Sequence, residues 1–304
     1  MSMDNIRRRV RLLAPAKVNL HLEVLRRRHD GYHEIETILQ AIDLQDRVQV
    51  TLLERRPGGE PEIELLVRPD GAAPDDESNL CWQAARLFCR RQRVSGHLQI
   101  ELDKEIPAGA GLGGGSSDAM AVLVACNHLF GTGLDIPELE RLGAELGSDV
   151  PFFAAGGTQL GRGRGTDLTR LNQPRSAHYV VLKPGFEVAT GGAYESLRMG
   201  LTVRPPVANL QVIKPLLARF PARPWFGFNR LEEVILPAHP ELSRILVRLR
   251  EEVPVAMLSG SGSAIFGVVD RGESADRLVD EFAPFVTFAR RVAPLHCGVK
   301  LLEG

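Results

Sequence analysis

Twelve residues, Pro107-Ala108-Gly109-Ala110-Gly111-Leu112-Gly113-Gly114-Gly115-Ser116-Ser117-Asp118, constrain this chain more than any other stretch. Before them, Leu98, Ile100 and Leu102 alternate with Gln99, Glu101 and Asp103, the pattern of a strand with one buried face. After them, Met120, Leu123, Val124 and Asn127 fall at helical spacing, uninterrupted until Gly131. A glycine loop therefore joins a strand to the first turn of a helix. Such a junction offers free backbone N–H groups and the positive end of a helix dipole, and its natural occupant is a phosphate. Gly109, Gly111 and Gly114 also satisfy G-x-G-x-x-G, a weak signal alone. A dinucleotide fold would want a continuously apolar strand before the loop, which this alternating strand is not. No lysine follows the glycines, so the loop is not a Walker A loop. A flexible linker does not explain why the run lies between a strand and a helix.

Composition narrows the class. The chain has 304 residues, 44% hydrophobic and 25% charged, as expected of a globular protein of one large or two smaller domains. A net charge of −1 gives no reason to expect bulk attraction to nucleic acid or membrane. Cys81, Cys89, Cys126 and Cys297 show no metal-ligand spacing, which suits a reduced, cytoplasmic setting. No 18-residue apolar run is present, and the arginines at 7–9 and 11 are not followed by an apolar signal core.

Along the chain, residues 8–25 read as two strands or one bent strand. Lys17 and Asn19 leave the same face of it, either to solvent or into a site. In Arg26-Arg27-Arg28-His29-Asp30-Gly31-Tyr32-His33-Glu34 a turn is followed by an aromatic ring and an imidazole. That pair suits a nucleobase held by stacking and edge contacts, or a ring simply packed over the turn. Strand-like alternation continues from 35 to 67, and residues 69–77 form an acidic loop. Ser78-Asn79 suits a helix cap, or Asn79 a contact to a base. A helix starts at Ile136-Pro137 and ends at Gly147. Asp149, in Ser148-Asp149-Val150-Pro151-Phe152, is then a cap or a catalytic carboxylate. Gly161-Arg162-Gly163-Arg164-Gly165 falls near the expected boundary between units 1–168 and 169–304. The second half reads as strands at Tyr179–Leu182 and Ala256–Leu258, with helices near 209–219, 229–236, 240–252 and 273–282. A second loop, Ser259-Gly260-Ser261-Gly262-Ser263, is a hairpin turn or a cover for the first loop.

Taken together, these stretches resemble the galactokinase, homoserine kinase, mevalonate kinase and phosphomevalonate kinase (GHMP) superfamily across nearly the whole length. The chain is most similar to the branch acting on a cytidine-diphosphate-linked methylerythritol in the non-mevalonate route to isoprenoids. Pro15-Ala16-Lys17-Val18-Asn19-Leu20, Asp30-Gly31-Tyr32-His33, Gly113-Gly114-Gly115-Ser116-Ser117-Asp118 and Gly147-Ser148-Asp149-Val150-Pro151-Phe152 carry the resemblance. It implies an α/β (α+β) protein of two domains, a nucleotide domain like the second domain of ribosomal protein S5 (1–168) and a ferredoxin-like substrate domain (169–304). It implies ATP-dependent phosphorylation of an alcohol, with Asp149 as catalytic base and Lys17 as its partner. A base is what a weakly nucleophilic hydroxyl needs, and the rest of phosphoryl transfer is positioning and charge neutralisation. Residues 107–117 and Asn79 are expected at ATP, and Asn19, Tyr32, His33, Asp149, Thr190 and Tyr194 at the acceptor. Mg²⁺ is expected on the phosphates, mostly through water and with a loop serine, no other side chain being named as its ligand. The expected partners are two small molecules, with no nucleic acid and no membrane. The long acidic 68–77 loop and Arg164 depart from the family pattern. A sibling kinase with a different alcohol is the runner-up; a nicotinamide enzyme and a non-catalytic nucleotide sensor fit less of the chain.

Overall fold

The computed structural model describes residues 8–172, 177–188, 190–197, 210–221 and 227–302. The first half runs β1 (Arg8–Arg27), β2 (His33–Arg56), β3 (Glu62–Arg68), α1 (Leu80–Gln92), β4 (Ser95–Asp103), α2 (Gly114–Phe130), α3 (Ile136–Gly143), α4 (Phe152–Ala155), β5 (Thr158–Arg162) and β6 (Asp167–Leu171). The second runs β7 (His178–Lys183), α5 (Thr190–Ser196), α6 (Leu210–Leu217), α7 (Glu232–Ala238), α8 (Pro240–Glu252), β8 (Val255–Leu258), β9 (Ile265–Val269), α9 (Gly272–Phe282), β10 (Phe288–Val292) and β11 (Lys300–Leu302).

One strand organises the first sheet. β2 is 24 residues long and pairs antiparallel with β1 along one edge. Its other edge is shared: Thr37–Gln40 pairs with β5, and Arg47–Arg56 pairs with β4. Residues 41–46 lie between those two partners, and the sheet forks there. The glycine loop leaves β4 beside this fork. Asp46, at its edge, accepts from the backbone N–H groups of Glu105 and Ile106 and from the ammonium of Lys104. β3 adds to β4 in parallel, and β6 adds to β5.

β4 keeps the alternation of its sequence, with Leu98, Ile100 and Leu102 buried and their neighbours half-buried. α2 is apolar almost all round, as a helix must be when every face is covered: it lies against β1, β2 and α1. Its stop is set by Gly131, left-handed at φ +67°. α3 begins on a capping box, Asp135 accepting from the Glu138 amide while the Glu138 side chain accepts from the Asp135 amide. Cys81, Cys89 and Cys126 are buried, and Cys297 is exposed.

The second sheet, in the order β10-β7-β9-β8, is antiparallel throughout. α8 and α9 pack on it, burying Leu242, Leu246, Leu249, Leu278 and Phe282. The sheets do not have separate cores: Val18, Leu20 and Ile42 of the first share one cluster with Tyr179, Val181 and Phe266 of the second. The changeover falls between Leu171 and His178. From Pro294 on, the chain leaves the second sheet again; Leu295 donates to the Ala41 carbonyl, and β11 pairs with β1. The tail of the 169–304 stretch thus packs with the first half.

Residues 8–25 form one strand, bulged at Pro15/Ala16 and again at Asn19/His21. Among the described residues no helix is long and apolar enough to cross a membrane.

Candidate active site

The glycine loop is gripped from two sides. The Lys17 amide donates to the Leu112 carbonyl at 2.9 Å, tying the loop to β1. The β8–β9 hairpin closes on it from the second sheet: Ser259 Oγ donates to the Gly111 carbonyl at 3.0 Å, and the Ala264 amide to the Ala110 carbonyl at 3.1 Å. The second glycine-serine loop is thus both a hairpin turn and a cover. A Cβ on Gly111 would stand 2.1 Å from the Ser259 carbonyl oxygen, so no other residue permits this approach. Asn229 holds the cover in place, its amide nitrogen donating to the carbonyls of Leu258 (2.9 Å) and Gly260 (2.7 Å). At the loop's far end α2 begins on Gly113, which supplies no side-chain cap. The first-turn amides are left for a ligand.

Lys17 and Asn19 are buried, not solvated. Lys17 Nζ donates to Asn19 Oδ1 at 2.7 Å, Asn19 Nδ2 to Thr37 Oγ1 at 2.8 Å, and Thr37 Oγ1 to the His21 carbonyl at 2.7 Å. This chain of bonds fixes the ammonium, which lies 3.4 Å from Asp149 Oδ2. Asp149 does not cap α4. Its side chain keeps 42% of its surface against 4% for Lys17, so one partner is anchored and the other faces open space.

That space is two cavities. One, of about 450 Å³, is lined by Lys17, Asn19, Asn79, Asp149 and every residue from Pro107 to Ser116. The other, of about 420 Å³, is lined by Tyr32, His33, Asp149, Arg164, Tyr194 and Glu195, among others. Ile35, Ser116, Asp149 and Tyr194 belong to both walls, so the carboxylate stands at the junction. Ser117 does not reach the wall; its hydroxyl is buried. Asn79 is both cap and wall: its Oδ1 accepts from the Cys81 amide at 2.8 Å. Tyr32 is 49% exposed, and the His33 and Tyr194 rings lie 5.4 Å apart. Burial, aided by Arg27, moves the His33 imidazole below its usual pKa. Burial beside Asp149 raises the Tyr194 phenol. Thr190 opens α5; its side chain lies outside the described residues.

Sequence reading passed over Lys104, Asp46 and Asp118 as a unit. Lys104 Nζ bonds Asp118 Oδ2 at 2.6 Å and also Asp46, closing the neck of the loop. The available signal was an isolated lysine three residues before the loop and an aspartate directly after its serines. Thr37 and Asn229 were missed as well, and nothing near either in sequence marks it.

The fold and this cleft are those of a GHMP kinase. The family model for the GHMP kinase N terminal domain matches residues 79–157, and that for the C terminal domain matches residues 216–285. The 4-diphosphocytidyl-2-C-methyl-D-erythritol kinase of Bacillus mycoides is 38% identical over 279 residues, 90% of this chain and 92% of that one. The enzyme of the same name from Bacillus thuringiensis is 37% identical over 286 residues, 91% of this chain and 94% of its own. A crystal structure of a 4-(cytidine 5'-diphospho)-2C-methyl-D-erythritol kinase superposes at a TM-score of 0.75, with 36% identity, over 95% of this chain and all of that one. The chain belongs to the 4-diphosphocytidyl-2-C-methyl-D-erythritol kinase family of GHMP kinases. Homoserine kinase from Cytophaga hutchinsonii, 20% identical, has the same fold at a TM-score of 0.75, over 99% of each chain. The two-domain GHMP architecture expected from the sequence is the one observed, and membership carries ATP use with it.

Proposed function

We propose that this chain transfers the γ-phosphoryl group of ATP to the 2-hydroxyl of 4-diphosphocytidyl-2-C-methyl-D-erythritol, in the cytoplasm. The observation that carries the reading is the position of Asp149, on the walls of both cavities and 3.4 Å from a buried ammonium. In this reading ATP occupies the cavity of the glycine loop. Residues 107–116 and Asn79 hold it. The acceptor occupies the second cavity, with its cytosine on Tyr32 and His33. Residues 1–168 hold the nucleotide, and the part from 169 on adds Tyr194 to the acceptor wall.

Asp149 accepts the hydroxyl proton as the oxygen attacks phosphorus, which is where a weak nucleophile most needs help. Lys17, fixed through Asn19 and Thr37, holds the carboxylate in line and offers positive charge to the transferring group. The loop amides and the start of α2 neutralise charge on the β- and γ-phosphates. Mg²⁺ keeps most of its waters and needs few protein oxygens; Ser116, on both walls, is suited to hold it. When bound it supplies further neutralisation of phosphate charge.

The test is ADP release with diphosphocytidyl-methylerythritol, mevalonate, phosphomevalonate and homoserine. The first is expected to exceed the others in kcat/KM by on the order of 100-fold or more, since a site built for a polar base rejects ligands that leave its groups unpaired. Faster turnover of any other alcohol would overturn the acceptor assignment.

A further inference from the structure

Phosphoryl transfer as described leaves Arg164 without a task. It stands at the tip of the β5–β6 hairpin, between Gly163 (φ +66°) and Gly165 (φ +98°). Those angles suit glycine and make the turn tight. The turn is also pinned. The Ile35 amide donates to the Gly163 carbonyl at 2.7 Å, and the Gly165 amide donates to the Arg162 carbonyl at 2.9 Å. From this fixed base Arg164 reaches the wall of the acceptor cavity. Its Nη2 donates to the Ala144 carbonyl. Its guanidinium lies over the Tyr32 ring, 5.1 Å from the centroid, the geometry of a cation–π contact.

Positive charge is scarce on this wall. Among the described residues lining this cavity, Arg164 is the one arginine or lysine, and two carboxylates line it as well, Glu195 and the Asp149 already paired with Lys17. A nucleoside diphosphate ester entering there brings further negative charge, and like charges at short range repel strongly in a partly desolvated space. A guanidinium is the side chain best shaped for phosphate, because its donors form a rigid fork. One nitrogen is used on Ala144 and its face is used on Tyr32; the remaining N–H groups have no partner among the described residues and can donate in plane. We infer that Arg164 receives the diphosphate of the acceptor while its face steadies Tyr32 for the base, which makes it a specificity determinant for nucleoside diphosphates over uncharged polyols. The inference rests on the cytidylyl acceptor proposed above.

Two roles must be told apart, because an arginine that only props Tyr32 would serve the base and not the diphosphate. The experiment is calorimetric titration of the full chain with cytidine and with CDP, using wild type, Arg164→Ala and Arg164→Lys. Arg164→Ala is expected to weaken CDP about tenfold or more and cytidine less than about threefold, the loss of a charge-assisted hydrogen bond. Arg164→Lys keeps part of the CDP affinity, since charge remains and the fork is lost. In turnover the loss falls on KM for the diphosphocytidyl substrate more than on kcat. Should Arg164→Ala not fold, Arg164→Gln, which removes the charge but keeps a polar side chain, carries the same comparison. Equal losses for cytidine and CDP, or none for either, would overturn the inference. A wild type that binds neither ligand defeats the acceptor reading and this inference with it. A wild type that binds both, with variants unaffected, defeats the role of Arg164 alone.

Discussion

Two lysine–carboxylate groups flank the glycine loop, built from the same residue types for opposite purposes. At the neck, Lys104 is enclosed with Asp46 and Asp118, whose side chains are almost without exposed surface. Asp46 spends its second oxygen on two backbone amides. Burial pushes the Asp118 carboxyl up against the pull of Lys104. For Lys104, burial acts downward, and the two carboxylates together overcome it and raise the ammonium. At the mouth, Lys17 is equally buried, but its partner Asp149 is open to both cavities at a looser 3.4 Å. The difference lies in burial, not in composition. A carboxylate enclosed beside a buried ammonium, as Asp46 is, holds two chain segments together. A carboxylate with a free oxygen on an open wall can take a proton.

The comparison predicts opposite mutational signatures. Asp149→Asn should lower kcat about 10³-fold or more, near the upper range for loss of a general base. ATP should still bind, and the melting midpoint should move by no more than about 2 °C, because an exposed, loosely held group contributes little to stability. If the Asn variant kept most of its kcat, the mouth would not be the reactive end and the contrast would collapse. Lys104→Met should do the reverse. It strands two buried carboxylates, which costs roughly 3–5 kcal/mol in denaturant unfolding. The activity of the folded fraction should fall far less than in Asp149→Asn. Adding Asp118→Asn removes one of the stranded charges and should recover part of the loss. A cost below about 1 kcal/mol for Lys104→Met would make the neck an ordinary surface pair.

Tyr32→Ala sharpens the comparison on the acceptor side. Removing a stacking platform is worth about 1–3 kcal/mol per base, so KM for the cytidylyl acceptor should rise about tenfold while ATP affinity holds. Stability should change by less than about 0.5 kcal/mol, as at a surface position away from the core. Equal losses for ATP and acceptor would remove Tyr32 from the cytidine end.

These contrasts were legible in the sequence to unequal degrees. The glycine loop announced itself because its neighbours carry the periods of a strand and a helix; that Gly111 admits the approach of Ser259 is visible only in the fold. Lys17 and Asn19 could be placed on one face by alternation alone, but alternation does not say whether that face is wet. Their burial depends on Thr37 and on the second sheet, both distant in sequence. The neck was illegible for the same reason: Asp46 lies 58 residues from Lys104, and what joins them is the fork in β2. Nor could local patterns reveal that the last strand returns to β1, since β11 is three residues long and its pairing is wholly non-local. The acceptor wall was readable only through resemblance, because a tyrosine and a histidine after a turn have many uses.

The smallest expected effect is one of pH, and it belongs to the mouth side alone. Burial first, and Arg27 second, hold the His33 imidazole below its ordinary value of 6.5. The folded protein therefore binds fewer protons at this position than the unfolded chain does. Whatever His33 contributes as a neutral ring is present above pH 6.5 and is lost as pH falls through its lowered pKa. A neutral imidazole has one donor and one acceptor for the edge of a base, and protonation removes the acceptor. Acceptor KM should therefore stay flat from about pH 8 to about 6.5 and rise below that, with ATP KM unchanged over the same range. His33→Gln should flatten the acid limb. If KM instead rose toward alkaline pH, or if the Gln variant kept the wild-type profile, the edge contact would belong to another residue and the mouth would lack the pH sensitivity that separates it from the neck.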